Sequence, residues 1–257
     1  MLTLFLIGLG LALIGFAITW AISVRINNYG LLDVAFSYGV AVLAPLYALA
    51  GPGEGTRKCL ATFIGVAWSV RLGTYILLRV LKHHPTEDAR YETLRARWPG
   101  PGMFLAFFEL QAVLVVVFSL PFLVAAFNPA PLQPVEFVGL ALALLSLGGE
   151  ALADWQMKRF KADPANRDQV CQAGLWRFSR HPNYFFEALI WVGFALFALG
   201  SPHGWIALSC PVLMLYFLLK VTGIPLTEEY AVKSKGAAYR EYQRTTSAFI
   251  PWFRKSL

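Results

Sequence analysis

The chain has 257 residues, 57% of them hydrophobic and only 14% charged, with a formal net charge of +7. A soluble domain of this length cannot hide so much apolar surface, because the fraction buried grows slowly with size. The composition points instead to an all-α polytopic membrane protein, with apolar runs long enough to cross a bilayer. The first run, Leu2 to Val24, meets no charge before Arg25. It lacks the basic start and small-residue cleavage site of a signal peptide, so it reads as a span. Val34 to Ala50 and Leu60 to Leu81 follow, then Met103 to Phe127, Val135 to Trp155, Tyr184 to Gly200 and Gly204 to Gly223. The fourth run ends in Asn128-Pro129-Ala130-Pro131, which stops a helix. No repeat or low-complexity linker divides the chain, which is expected to form one membrane domain over 1–257.

Seven spans with the N-terminus outside put segments 25–33, 82–102, 156–183 and 224–257 on the cytoplasmic side. These hold 17 of the 22 Lys and Arg residues, and the outer segments only Arg57 and Lys58. That asymmetry is the positive-inside pattern, and it accounts for the basic charge without a nucleic-acid partner. Cys59, Cys171 and Cys210 show no metal or disulfide spacing, and the four histidines form no ligand pattern.

Charge at membrane depth is expensive and normally faces a polar interior. The third span carries Arg71, Tyr75 and Arg79 on one helical face, and the fifth carries Glu150, Asp154 and Lys158 at the same spacing. Glu109 and Glu187 lie in the fourth and sixth. A pair such as Arg71 with Glu150 or Asp154 can simply lock two helices. Taken as a set, the charges suggest a polar chamber reached from the cytoplasmic side. The stretch from Asp154 to Tyr184 mixes cations with rings: Lys158, Arg159 and Lys161, then Trp176, Arg177, Arg180, His181 and Asn183. Such a mixture suits a phosphorylated, ring-bearing ligand, or else an anionic membrane surface. Pro182 fixes a helix start with free N–H groups near Asn183. Gly8-Leu9-Gly10 lies inside a span and follows no strand, so a Rossmann phosphate loop is excluded.

Gly174-Leu175-Trp176, Ser179-Arg180-His181-Pro182-Asn183-Tyr184-Phe185 and Glu187 resemble the signature of the superfamily that joins steroid 5α-reductases, sterol C14 reductases and isoprenylcysteine methyltransferases. Glu228-Glu229-Tyr230, Gly236, Tyr239, Tyr242, Arg244 and Phe249-Ile250-Pro251-Trp252 extend the likeness through the tail. The N-terminal half matches more thinly, through Asn28, Asp33, Trp68, Arg71, Tyr75, Arg79, Glu87-Asp88, Arg90-Tyr91 and Arg95. As a whole the chain most resembles a bacterial membrane branch related to the steroid 5α-reductases. The resemblance implies a protein of the bacterial inner membrane, monomeric and in contact with lipid, with residues 1–135 shaping a substrate pocket and 136–257 binding cofactor. It implies NADPH-dependent reduction of a carbon–carbon double bond conjugated to a carbonyl, in a lipophilic steroid or isoprenoid-like substrate.

By the same resemblance Asp154, Lys161, Asn183, Glu187 and Tyr75 fall at NADPH-binding positions. The wider cofactor set adds Arg71, Arg79, Glu150 and Lys158, then Trp176, Arg180, His181 and Tyr184, and Glu229, Tyr239 and Tyr242 in the tail. Lys161 stands where the family has an Arg, keeping the charge but losing the bidentate fork. The family holds the substrate carbonyl with a Gln-Glu pair and a Tyr. Leu32-Asp33 and Trp68 occupy those positions here, so the carboxyl survives as Asp33 and the Tyr does not. Asp33 is the expected group at the substrate oxygen, as a neutral acid in a dry pocket, with Tyr29, Tyr38 or Tyr75 supplying a phenol. As an alternative, Asp33 caps the second helix. The rival activity is that of an S-adenosylmethionine-dependent methyltransferase, which shares the Arg-His-Pro motif and Glu-Glu tail. That group usually reads Gly-Pro-Tyr before the motif and Gly two residues after its Tyr, where this chain has Gly174-Leu175-Trp176 and Phe186.

Overall fold

The computed structural model describes residues 1–98 and 100–254; Lys255, one of the basic tail residues, lies outside them. Among the described residues the regular structure is helical throughout, and seven stretches are long and apolar enough to cross a membrane. They begin with α1 (Leu2–Ile26), α2 (Leu31–Ala50) and α3 (Gly55–His83). After the short α4 (Ala89–Arg97), the fourth stretch is α5 (Pro101–Phe118) with α6 (Leu120–Ala125). α7 (Pro134–Ala162) and α8 (Pro182–Leu199) are the fifth and sixth. The seventh, Gly204–Lys235, includes α9 (Ser209–Tyr216) and α10 (Ile224–Lys235), and α11 (Ala237–Thr245) lies beyond it.

Several helices outrun their apolar cores. α3 starts at Gly55 because Glu54 caps it, accepting from the Thr56 and Arg57 amides at 2.8 and 2.7 Å. α7 continues past Trp155 to Ala162, since Lys158, Arg159 and Lys161 are good helix formers and no breaker stands before Pro164. The fourth stretch is broken at Ser119, where Pro121 lacks an N–H and the Ser119 hydroxyl folds back to the Val116 carbonyl at 2.7 Å. In the seventh, a π turn over Phe217–Val221 separates α9 from α10.

The chain divides into two compact units, 1–136 with 197–207, and 137–196 with 208–257. In the first, polar bridges stitch α2 to its neighbours. Tyr38 meets Thr74 at 2.8 Å, and the Ser69 hydroxyl accepts from the Ala41 amide at 2.9 Å while donating to the Ser37 carbonyl. Arg57, on α3, forms a separate junction. Its guanidinium meets Glu136 at 2.5 and 3.0 Å and donates to the carbonyls of Asn128, Ala130 and Pro131 at 2.7–2.9 Å. Both side chains are 0% exposed. Asn128 extends the junction to the Gly200 carbonyl at 2.9 Å. Five N–H donors thus meet five acceptors, which is what makes a fully buried guanidinium tolerable. In the second unit α11 and the tail fold onto the segment 174–181, and those contacts form part of the site described next.

Candidate functional site

In the first unit the polar residues of the thin N-terminal match converge. Asn27 ends α1 in the left-handed region at φ 55°, and the Asn28 side chain accepts from the Gly30 amide at 2.9 Å. Gly30 is the residue that precedes α2, so Asp33 lies inside the first turn and caps nothing. Its carboxylate instead accepts from Arg90 at 2.7 Å and from the Tyr91 hydroxyl at 2.9 Å. Asp88 caps α4 and takes the other edge of Arg90 at 3.0 Å, with Arg79 at 3.7 Å. Glu87 holds the Tyr29 amide at 2.5 Å and Arg95 at 3.0 Å, while the Arg95 guanidinium lies 4.7 Å from the Tyr29 ring centroid.

The electrostatics follow from this geometry. Burial pushes the Tyr91 phenol up, and the charge of Asp33 adds to the effect. Burial opposes charge on Arg90, yet Asp33 and Asp88 outweigh it and hold the cation more firmly than usual. Asp88 is desolvated too, but the hydrogen bond and charge of Arg90 pull its carboxyl below the ordinary range. Asp33 thus carries two donors, Arg90 and the Tyr91 phenol beside it. Tyr38 is committed to Thr74, Tyr29 stacks on Phe104 at 4.1 Å, and Tyr75 is exposed. Trp68 is buried, Arg71 is partly exposed, and Arg79 is largely exposed beside Asp88.

The second unit gathers the dense motif into one knot. Gly174 takes φ +58°, with the Gln156 side chain so close that any Cβ would strike it at 2.4 Å. That turn lets Gln156 accept the Leu175 amide at 2.9 Å and brings the Trp176 indole to the Ala153 carbonyl at 3.0 Å. Arg180 pairs with Glu228 at 2.6 Å and donates to the carbonyls of Gln243 and Thr246 at 3.0 and 2.5 Å. His181 meets the same Glu228 oxygen at 3.2 Å and stacks on Tyr184, whose hydroxyl reaches Thr227 at 3.1 Å. Gln243 holds the other oxygen of Glu228 at 2.9 Å. Tyr242 donates to the carbonyls of Trp176 and Ser179, and burial raises its phenol and that of Tyr239. Glu229 is exposed and paired with Lys233 at 2.6 Å.

Beside the knot, at the start of α8, the Asn183 Oδ1 is buried and accepts no hydrogen bond among the described residues. A buried amide oxygen without a donor is costly, roughly 1–3 kcal/mol. One turn on, Glu187 accepts from the Trp191 indole at 2.8 Å. Glu150 is buried on α7, Asp154 is partly exposed, and Lys158 and Lys161 reach solvent. An open cavity of about 510 Å³ lies at that end of α7, lined by Trp155, Gln156, Arg159, Phe160, Cys171 and Gly174 among others. Arg159 stands 5.5 Å over the Trp155 ring there, a pairing of cation and aromatic face. Sequence reading did not single out Gln243, Tyr91 as an acid candidate, or the Arg57–Glu136 pair; each depends on a partner 15, 58 or 79 residues away, which no local pattern signals.

Comparison with known proteins finds two relevant matches. Residues 19–246 match the family described as protein of unknown function DUF1295. The chain is also 27% identical over 286 aligned positions to an uncharacterised protein of Schizosaccharomyces pombe, C594.04c, covering 96% of this chain and 79% of that protein.

Proposed function

Because the chain belongs to the DUF1295 family, we propose that the resemblance of its motifs to the steroid 5α-reductases extends to chemistry. In this reading it is an NADPH-dependent reductase of a conjugated enone in a lipophilic substrate, set in the bacterial inner membrane with its basic ends in the cytoplasm. The observation that carries the reading is Asn183, whose buried amide oxygen has no donor within the described chain. A carboxamide or ribose hydroxyl would supply that donor, so the residues fit a nicotinamide nucleotide. Asn183, Asp154, Lys161 and Glu187 are the residues that would hold it. NADPH, when bound, supplies the hydride for the double bond. Arg180, His181, Tyr239 and Tyr242 are spent on Glu228 and on backbone carbonyls, and they act by fixing the turn that presents Asn183.

Reduction of an enone builds charge on the carbonyl oxygen, which a positioned donor must meet. Tyr91 is the buried phenol where Trp68 offers none; its one O–H is on Asp33 in the unliganded protein and would swing from that carboxylate to the substrate oxygen. Asp33 and Arg90 orient it. Phe186 favours reductase over methyltransferase: its ring packs against Gly149, where a Cβ would lie 2.5 Å away, and fills the space a glycine there would leave. The test is the cofactor that co-purifies, identified by mass spectrometry and ultraviolet absorption. A nicotinamide nucleotide supports the reading, and S-adenosylmethionine or its demethylated product overturns it.

A further inference from the structure

Helices α2 and α3 enclose an open apolar groove of about 900 Å³ within the first unit. α3 lines it with a stripe at helical spacing, Cys59, Thr62, Phe63, Val66, Ala67 and Val70, and α2 adds Ala48 and Leu49. From Gly55 to Arg71, which also line it, α3 rises ~24 Å. That is most of a hydrocarbon core about 30 Å thick. Leu49 and Phe63 on the rim are 88% and 60% exposed, and on spanning helices such side chains meet lipid. Small residues beneath them, Ala48, Thr62 and Ala67, make the surface a slot and not a flat face. Its size falls within the range of small-molecule sites, roughly 300–1,000 Å³. Apart from Arg71, no lining residue belongs to the site described above.

Arg71 lies at one end of the slot and Lys58 at the other. Lys58, in the first turn of α3, donates to the Gly51 carbonyl at 2.9 Å. That uses one of an ammonium's three donors. Its neighbour Arg57 has all five committed to Glu136 and backbone carbonyls. A compact point charge at the end of a spanning helix, with apolar walls running inward from it, matches a phosphate headgroup with a chain attached. We propose that this groove binds an acyl chain of one anionic phospholipid, with the phosphate on Lys58.

The chain carries its own probe. Cys59 stands exposed on the groove wall, whereas Cys171 and Cys210 are buried. The full-length protein is placed in nanodiscs of phosphatidylcholine alone or of equal parts phosphatidylcholine and phosphatidylglycerol, and labelled with an uncharged, lipid-soluble maleimide. Phosphatidylglycerol should slow labelling of Cys59 roughly fivefold, since protection tracks occupancy. Lys58→Glu should abolish the difference and Lys58→Arg should keep it, with both variants melting like the parent. Native mass spectrometry of the parent should show one phosphatidylglycerol adduct that Lys58→Glu loses. Equal labelling in the two discs overturns the proposal, a result that needs no variant. So does protection that survives Lys58→Glu, which would mark unspecific annular lipid. Equal protection by oleic acid added to phosphatidylcholine discs would assign the slot to a fatty acid and overturn the phospholipid assignment.

Discussion

Arg57 and Arg180 each sit at the centre of a polar knot, and the two knots are finished differently. Around Arg57 every guanidinium N–H has an acceptor, Glu136 takes both forks and the Gln133 amide, and the pair is wholly buried. Around Arg180 the ion pair with Glu228 is 10% and 15% exposed, and the buried Oδ1 of Asn183 and Oγ1 of Thr246 have no hydrogen-bond partner among the described residues. Buried polar atoms are nearly always satisfied, so a saturated network reads as architecture, and one with atoms left over reads as a place for something else. The difference separates a joint from a site on chemistry alone, although both are built from an arginine, a glutamate and backbone carbonyls.

The largest effect should come from breaking the saturated knot. Arg57→Ala leaves Glu136 buried without its cation and should cost ~3–5 kcal/mol. Unfolding in a denaturing detergent titration would register it. Arg57→Lys should rescue little, because an ammonium cannot fill a fork and three carbonyls. Near-parental stability of Arg57→Ala would end the distinction between the two knots.

Arg180→Ala should cost less, about 1.5–3 kcal/mol for lost charge-assisted hydrogen bonds. The loss should be local. Hydrogen exchange ought to quicken across α11 and residues 246–254, with the amides of 1–136 unchanged. Uniform quickening throughout would mean that Arg180 is as architectural as Arg57.

A third prediction uses pH. Asp88 has a folded-state pKa below its unfolded value, because Arg90 outweighs its desolvation. A carboxylate so shifted contributes stability above its unfolded pKa, about 3.9, and loses it as pH falls toward the folded value. Exchange protection of α4 should therefore hold at neutral pH and fail below about pH 4. Asp88→Asn should lower that protection at neutral pH and flatten its pH dependence. A clasp equally protected in acid would show that Asp88 is a helix cap only.

Much of the fold was legible because a bilayer leaves few choices. All seven apolar runs became helices, and their apolar cores coincide with the observed stretches. The ends were less legible. A capping Glu54, a polar continuation to Ala162 and a proline break at Ser119 are local features that average hydrophobicity ignores. In the site, spacing placed Asn183, Glu187 and Arg180 together on one turn and its helix. The use of each was hidden: Arg180 and His181 turn toward Glu228, forty-eight and forty-seven residues on. Asp33 illustrates the same limit. An acid before an apolar run reads as a cap, but Gly30 holds the cap position of α2 and the carboxylate goes to Arg90 and Tyr91.

Asn183 should contribute least to stability and most to binding. Its oxygen makes no hydrogen bond among the described residues, so Asn183→Ala breaks no bond of that atom and should leave the unliganded protein as stable as the parent or slightly more so. The direct measurement is the thermal midpoint of the purified parent and of Asn183→Ala, each alone, with NADPH and with S-adenosylmethionine. NADPH at a hundredfold excess over its Kd stabilises a folded binder by about 2.7 kcal/mol, so the parent's midpoint should rise clearly. Asn183→Ala should melt like the unliganded parent with or without NADPH. No rise with NADPH, a rise that survives Asn183→Ala, or a rise with S-adenosylmethionine alone would contradict the account.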